Sequence, residues 1–271
     1  MNGILASLAI ILVSFGTSFE ENRQATIVAV EKDVQEAFPD AYVTSAYTSS
    51  LIRAKLKGRG VDIFSVDEAL ADALAKGYKN VIVQPTHMMY GLEYNEMKEL
   101  ASSYEKKFDS FVYGEPLLAN EKDISRVEAV LSKNVKDKKT ALVLMGHGTE
   151  YFSNFLYAAA DYQAKADGRA NIFVGTVEAY PDCKTVIAEV KKAKFKKVLL
   201  SPLMLVAGDH ANNDMAGDED DSWKNQFKAA GFKTVDTLVK GLGEYPQIRR
   251  MYIEKIAKAG NIEPKITVDA K

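Results

Sequence analysis

Short apolar runs alternate with amphipathic stretches along this chain, and the whole alternation is played through twice. In the first half the runs are AIILVS (9–14), AYVTSAY (41–47), NVIVQP (80–85) and SFVYG (110–114). Each has the length and the β-branched content of a strand buried on both faces. Helix-like pieces lie between them, roughly over 20–37, 66–76 and 94–107. The second half repeats the order with ALVLMG (141–146), NIFVGTV (171–177), KVLLSP (197–202) and KTVDTLV (233–239). Its helices fall at about 151–165, 182–192 and 222–230. Strand, helix, strand at this spacing predicts parallel sheets with right-handed crossovers. The expected fold class is therefore α/β: two similar Rossmann-like lobes, each a four-stranded parallel sheet flanked by helices.

The halves also match in letters. ILVSFGTS (11–18) lies over LVLMGHGT (142–149), and NVIVQPTHMMYGLEYNEM (80–97) over KVLLSPLMLVAGDHANNDM (197–215), with one extra residue in the second. Internal similarity of this kind points to duplication and to two lobes facing each other across a cleft. The polar run SKNVKDKKT sets the expected boundary at Asn134, giving lobes 1–134 and 135–271. A last helix near 246–259 has the option of crossing back onto the first lobe.

At 271 residues the chain is near the upper limit for one hydrophobic core, and 47% hydrophobic residues are ample for two. The net charge of −2 leaves no basic footprint for nucleic acid. Cys183 is the one cysteine, which excludes an intrachain disulfide and a cysteine metal cluster. The apolar start MNGILASLAIILV is too short for a membrane span, which needs about 20 residues. No Lys or Arg precedes it, the first being Arg23. It reads as a buried strand from Ala9 to Ser14 after a short extension, and a cytoplasmic location is expected. Export remains the alternative if the run is a trimmed or atypical signal.

In open parallel sheets, ligands sit beyond the carboxyl ends of the strands. All three histidines, His87, His147 and His210, fall in the turns after predicted strands there. Gly146 and Gly148 flank His147 and allow a sharp turn with the ring projecting outward. His210 stands in a flank rich in Asp209, Asp214, Asp218, Glu219, Asp220 and Asp221. That flank reads either as a negative funnel for a cation or as a solvated loop with Asp221 or Ser222 capping the next helix. The repeat sets Glu93 opposite His210, and Phe15 in the place of His147. Glu178, after the second strand of the second half, completes a three-ligand set with the two histidines. Imidazole suits cobalt, iron, nickel and zinc, and few protein ligands with open positions suit transient holding. With Phe15, the stretches His87–Gly91 and Leu203–Gly208 supply strand-end residues that suit a flat macrocycle: His87, Met88, Met89, Tyr90 and Leu205. Arg53 is open to two readings, a surface arginine or a partner for substrate carboxylates.

SFGTS, HMMYGLEY, MGHGT and PLMLVAGDHANNDMAGDEDDSWK, in this order over nearly the whole chain, resemble the class II sirohydrochlorin cobaltochelatases called CbiK. The resemblance implies ferrochelatase-like lobes and insertion of a divalent metal, Co²⁺ first among candidates, into sirohydrochlorin on the anaerobic route to cobalamin. It implies no ATP and no organic cofactor, with the metal as a substrate. The family's active-site histidines fall on His147 and His210, its active-site glutamate on Glu93, and a metal-binding glutamate of its periplasmic members on Glu178. The expected mechanism has His147, Glu178 and His210 receive the ion, while the imidazoles and Glu93 accept pyrrole protons. The alternatives are a non-enzymatic haem, tetrapyrrole or metal carrier on the same fold, and a chelatase for iron or nickel. Self-association into a homo-oligomer is compatible with the sequence.

Overall fold

The computed structural model describes residues 7–265. The extension expected before the first strand lies, for residues 1–6, outside the described residues. The chain divides into two compact units, 1–117 with 246–271, and 118–245.

The first unit holds a parallel sheet of order β2-β1-β3-β4, formed by β1 (Leu8–Ser14), β2 (Tyr42–Tyr47), β3 (Asn80–Pro85) and β4 (Ser110–Tyr113). β1 is buried along its whole length, which is why its letters run apolar without alternation. Its helices are α1, which runs Glu20–Arg23, then a π-helical Gln24–Val28, then Ala29–Ala37; α2 (Ser50–Lys57); α3 (Val66–Ala75); and α4 (Leu92–Ala101). Ser65 and Glu68 form a capping box at the start of α3.

The second unit repeats the plan with order β6-β5-β7-β8, using β5 (Thr140–Gly146), β6 (Ile172–Thr176), β7 (Lys197–Pro202) and β8 (Thr234–Thr237). Its helices are α5 (Glu121–Ser132), α6 (Phe155–Ala166), α7 (Cys183–Lys192) and α8 (Trp223–Ala229). Its core gathers Val143, Met145, Phe173, Val186, Leu200, Trp223 and Phe227. The fold class is thus two four-stranded parallel sheets flanked by helices.

The passage between units falls at Leu118 rather than at Asn134. The physical reason is α5, which sequence periodicity alone leaves unread. It packs on α6, buries Ile124, Val127 and Leu131, and pairs Glu128 with Arg169 of the same unit at 3.4 Å. The final helix α9 (Pro246–Gly260) belongs to the first unit, where it packs on α1 and β3. There Tyr252 donates to the carbonyl of Thr86 at 2.9 Å, and Arg249 pairs with Asp33 at 2.6 Å. Among the described residues, no helix is long and apolar enough to cross a membrane.

The duplication extends to individual hydrogen bonds at the strand ends. Thr86 N–H donates to Val13 and Leu203 N–H to Met145, both at 2.8 Å. Thr48 donates to Ser14 and Val177 to Gly146, both at 3.0 Å. Ser49 donates to Phe15 at 3.3 Å, and Glu178 to His147 at 2.9 Å. Asn95 donates to Gly91 at 3.0 Å, and Asn212 to Gly208 at 3.1 Å. One backbone scaffold therefore presents Phe15, Ser49 and Glu93 in the first unit where it presents His147, Glu178 and His210 in the second.

Candidate metal centre

His147 is the residue immediately after β5, and Glu178 is the second residue after β6. The hydrogen bond from Glu178 N–H to the His147 carbonyl ties the two loops at their tips. Gly148 makes the turn possible, with φ of +89° and with Ala179 so close that a Cβ would stand 2.9 Å from its backbone nitrogen. The Gly146 position faces the Tyr157 ring, which a Cβ would meet at 2.1 Å. Asn154 adds a brace between loops: it accepts from Thr149 N–H at 3.1 Å and donates to the Tyr180 carbonyl at 2.6 Å. These constraints hold the His147 backbone while leaving its side chain 47% exposed.

His210 opens the helical turn after β7, just before a π-helical segment, Ala211–Met215. Ala211 and Met215 are fully buried and anchor that segment in the core. The side chain of Asn213 donates to Asp209 at 2.8 Å, and that of Asn212 to the Gly208 carbonyl at 2.7 Å.

The three side chains meet. Glu178 lies between the imidazoles, Oε2 at 3.7 Å from His147 Nδ1 and Oε1 at 3.7 Å from His210 Nε2. The rings stand 4.7 Å apart between centroids and nearly perpendicular, at 89°. One ligand atom from each residue falls within 4.8 Å of the others. Ligands sharing one small divalent ion at about 2.1 Å stand roughly 3.0–3.4 Å apart. Small inward swings of partly exposed side chains would therefore close the group on an ion, and three protein ligands leave coordination positions open. His147 Nδ1 lies 2.8 Å from the Gly148 carbonyl, and His210 Nδ1 lies 2.7 Å from Asp214 Oδ2. A carbonyl can only accept, so this contact requires a proton on His147 Nδ1, and Nε2 is then the nitrogen left to ligate.

The other sequence expectations separate. Glu93 sits half-buried in the first turn of α4, in the first unit. Phe15 and Tyr90 are exposed, at 53% and 45%, while Met88 and Leu205 are half-buried. His87 and Met89 do not offer surfaces to a ligand: both are buried at 8% exposure. Neither His87 ring nitrogen has a hydrogen-bond partner, and burial depresses its pKa to about 4, so the ring is neutral. The repeat carried the signal, because it pairs His87 with Met204, which packs against the second core. In the acidic flank, Asp218 is engaged by Lys224 at 2.8 Å, which holds its carboxyl below the usual range. Ser222, rather than Asp221, caps α8. Arg53 lies 3.6 Å from Glu68.

The model of the cobalt chelatase family (CbiK) matches residues 8–261. The chain belongs to the CbiK family of cobalt chelatases. The sirohydrochlorin cobaltochelatase of Salmonella typhimurium is 37% identical over 257 residues, which cover 94% of this chain and 97% of that protein. The sirohydrochlorin cobaltochelatase CbiKC of Nitratidesulfovibrio vulgaris is 30% identical over 258 residues, covering 92% and 89%. Among solved structures, SirB from Bacillus subtilis with Fe³⁺ superposes with a TM-score of 0.66 at 14% identity, over 94% of this chain and 96% of that one. The sirohydrochlorin chelatase SirB from Bacillus subtilis subspecies spizizenii, in complex with cobalt, gives 0.63 at 14%, with the same coverage. At that identity these two speak for the fold. The CbiK family and the fold agree with the resemblance read from SFGTS, MGHGT and PLMLVAGDHANNDMA.

Proposed function

We propose that this chain inserts a divalent metal, Co²⁺ first, into sirohydrochlorin, and that His147, Glu178 and His210 receive the ion. The observation that carries the site assignment is the convergence of two imidazoles on one carboxylate, with ligand atoms within 4.8 Å. Membership of the CbiK family, and relatives named sirohydrochlorin cobaltochelatase over nearly their full length, support the reaction.

Insertion exchanges two pyrrole N–H protons for one M²⁺ and strips water from the ion. Three protein ligands hold the ion while leaving positions for the ring nitrogens. As each ring nitrogen bonds the metal, a protein ligand lets go and its freed lone pair can take the displaced proton. Glu93 is a further proton acceptor in this scheme. The apolar residues Phe15, Met88, Tyr90 and Leu205 are proposed to face the macrocycle. The exchange is thermodynamically driven by the metal–nitrogen bonds, so the reading needs neither ATP nor an organic cofactor, and it involves no nucleic acid. A cytoplasmic location is part of the same proposal. It rests on the apolar N-terminal run being the central strand β1, and cell fractionation tests it.

Purified protein incubated with sirohydrochlorin and Co²⁺, Fe²⁺ or Ni²⁺, without ATP, is followed by the absorbance change of the macrocycle over many turnovers. His147→Ala and His210→Ala should each abolish turnover; full activity in either refutes the site. Glu93→Gln should slow insertion more than it weakens Co²⁺ binding, and the reverse outcome would make Glu93 a ligand. A stoichiometric burst without turnover would favour a carrier.

A further inference from the structure

The second unit differs from the first by more than the identity of its ligands. Between the residue matched to His210 and the next fully buried methionine, the first unit counts four positions, Glu93 to Met97, in a regular α-helix. The second counts five, His210 to Met215, and takes up the extra residue in the π-helical Ala211–Met215. Single π-turns of this kind recur at functional sites, because one added residue re-aims the side chains of the turn. Both ends of the turn are fixed, Ala211 and Met215 by the core and Gly208 and Asp209 by the side chains of Asn212 and Asn213. Gly217 closes the segment where a Cβ would stand 2.2 Å from the Asn213 carbonyl oxygen. The residue this arrangement delivers to the His210 ring is Asp214, with Oδ2 2.7 Å from Nδ1.

We infer that Asp214 is the positioning residue of His210: its carboxylate accepts the Nδ1 proton, fixes the ring's rotation, and leaves the Nε2 lone pair aimed at Glu178 and the ion. This rests on the proposed metal site. The chemistry is general. A histidine that ligates through one nitrogen needs the other to carry the proton, and a carboxylate acceptor selects that tautomer and makes the ligating nitrogen a better donor. The geometry fits that division, since Nε2 is the nitrogen lying 3.7 Å from Glu178 Oε1. His147 is served differently, by the backbone carbonyl of Gly148 at 2.8 Å. A charged acceptor polarises a ring more than a carbonyl does, so His210 is the stronger donor of the pair. Asp214 is 44% exposed and its removal leaves the core untouched.

The test uses full-length protein labelled with ¹⁵N-histidine, Co²⁺ alone as the ligand, and the variants Asp214→Ala, Asp214→Asn and His210→Ala. Long-range ¹H–¹⁵N correlation above pH 8 reads which His210 nitrogen bears the proton, and Co²⁺ titration by its visible absorption reads affinity. Wild type should show the proton on Nδ1. Asp214→Ala should lose that preference and weaken Co²⁺ about 10–100-fold. Asp214→Asn, whose amide oxygen still accepts, should keep the tautomer and recover part of the affinity. An unchanged tautomer in Asp214→Ala, or unchanged affinity while His210→Ala loses Co²⁺, overturns the role of Asp214 alone. Wild-type Co²⁺ affinity in His210→Ala would overturn the metal site and this inference with it.

Discussion

Replacing Glu128 with glutamine should make the protein more stable above neutral pH and leave it nearly unchanged below pH 5. Glu128 is on α5, with its side chain 2% exposed. It borders a small apolar cavity with Leu118, Ile124, Val127, Leu144, Ala160, Val174 and Leu203. Oε1 has no hydrogen-bond partner, and Arg169 is the partner of Oε2 at a long 3.4 Å. Burial therefore outweighs the guanidinium and pushes the carboxyl from its ordinary 4.5 up to about 7. The folded protein then binds a proton that the unfolded chain has released, over the window between those values. Stability from this group is whole below pH 4.5, falls as pH rises, and is lost above 7. A shift of about 2.5 units at 1.36 kcal/mol each gives a penalty on the order of 3 kcal/mol at pH 8. Other carboxylates respond in the opposite sense, so the quantity to measure is the difference between Glu128→Gln and wild type. Urea denaturation at half-unit steps from pH 4.5 to 8.5 should show that difference growing to a plateau of about 3 kcal/mol. A difference independent of pH would show that Glu128 stays ionised and that the burial argument is wrong. The outcome bears on function, because this group sits beneath the sheet whose ends carry His147, Glu178 and His210. A loss of chelation at alkaline pH that Glu128→Gln removes would reflect the scaffold rather than the ligands.

Gly148→Ala should destabilise the protein by about 2–4 kcal/mol, from roughly 1–2 kcal/mol of left-handed backbone strain and the rest from the collision with Ala179. It should also weaken Co²⁺ binding, and an unshifted Tm would contradict the tight turn. Cys183 is buried and its thiol is pushed up to about 12, chiefly by desolvation, so a disulfide reagent at pH 8 should label it only after denaturation. Rapid labelling of the native protein would mean that the start of α7 opens.

The strands were legible almost to the residue. In a parallel sheet covered on both faces, a strand is an unbroken apolar run, and β1, β3, β5 and β7 read as such. Two helices escaped. α2 has one buried residue, Leu56, and so little periodicity to detect. α5 opens with polar Glu121 to Asp123, and Asn120 caps it only once the backbone is in place. The boundary expected at Asn134 failed for the same reason. The candidate ligands were legible because strand-end position is itself a physical argument, and His147, Glu178 and His210 do meet. His87 obeyed the same rule in sequence and was buried, since its counterpart Met204 marks an inward-facing slot. Asp214 was hidden among like charges, although its spacing of four from His210 in a helical turn was the available clue.

Because the two sheets end in the same hydrogen-bonded loops, the contrast between the unit proposed to hold the cation and its partner comes down to a few side chains and one added residue. Phe15, Ser49 and Glu93 stand at positions whose strand-end hydrogen bonds match those of His147, Glu178 and His210. Grafting imidazole, carboxylate and imidazole there, with one residue inserted after Glu93, would ask whether the first unit can be given the same ligand set. A doubled architecture of this sort thus carries its own comparison, in which one half shows the shared scaffold bearing a different set of side chains.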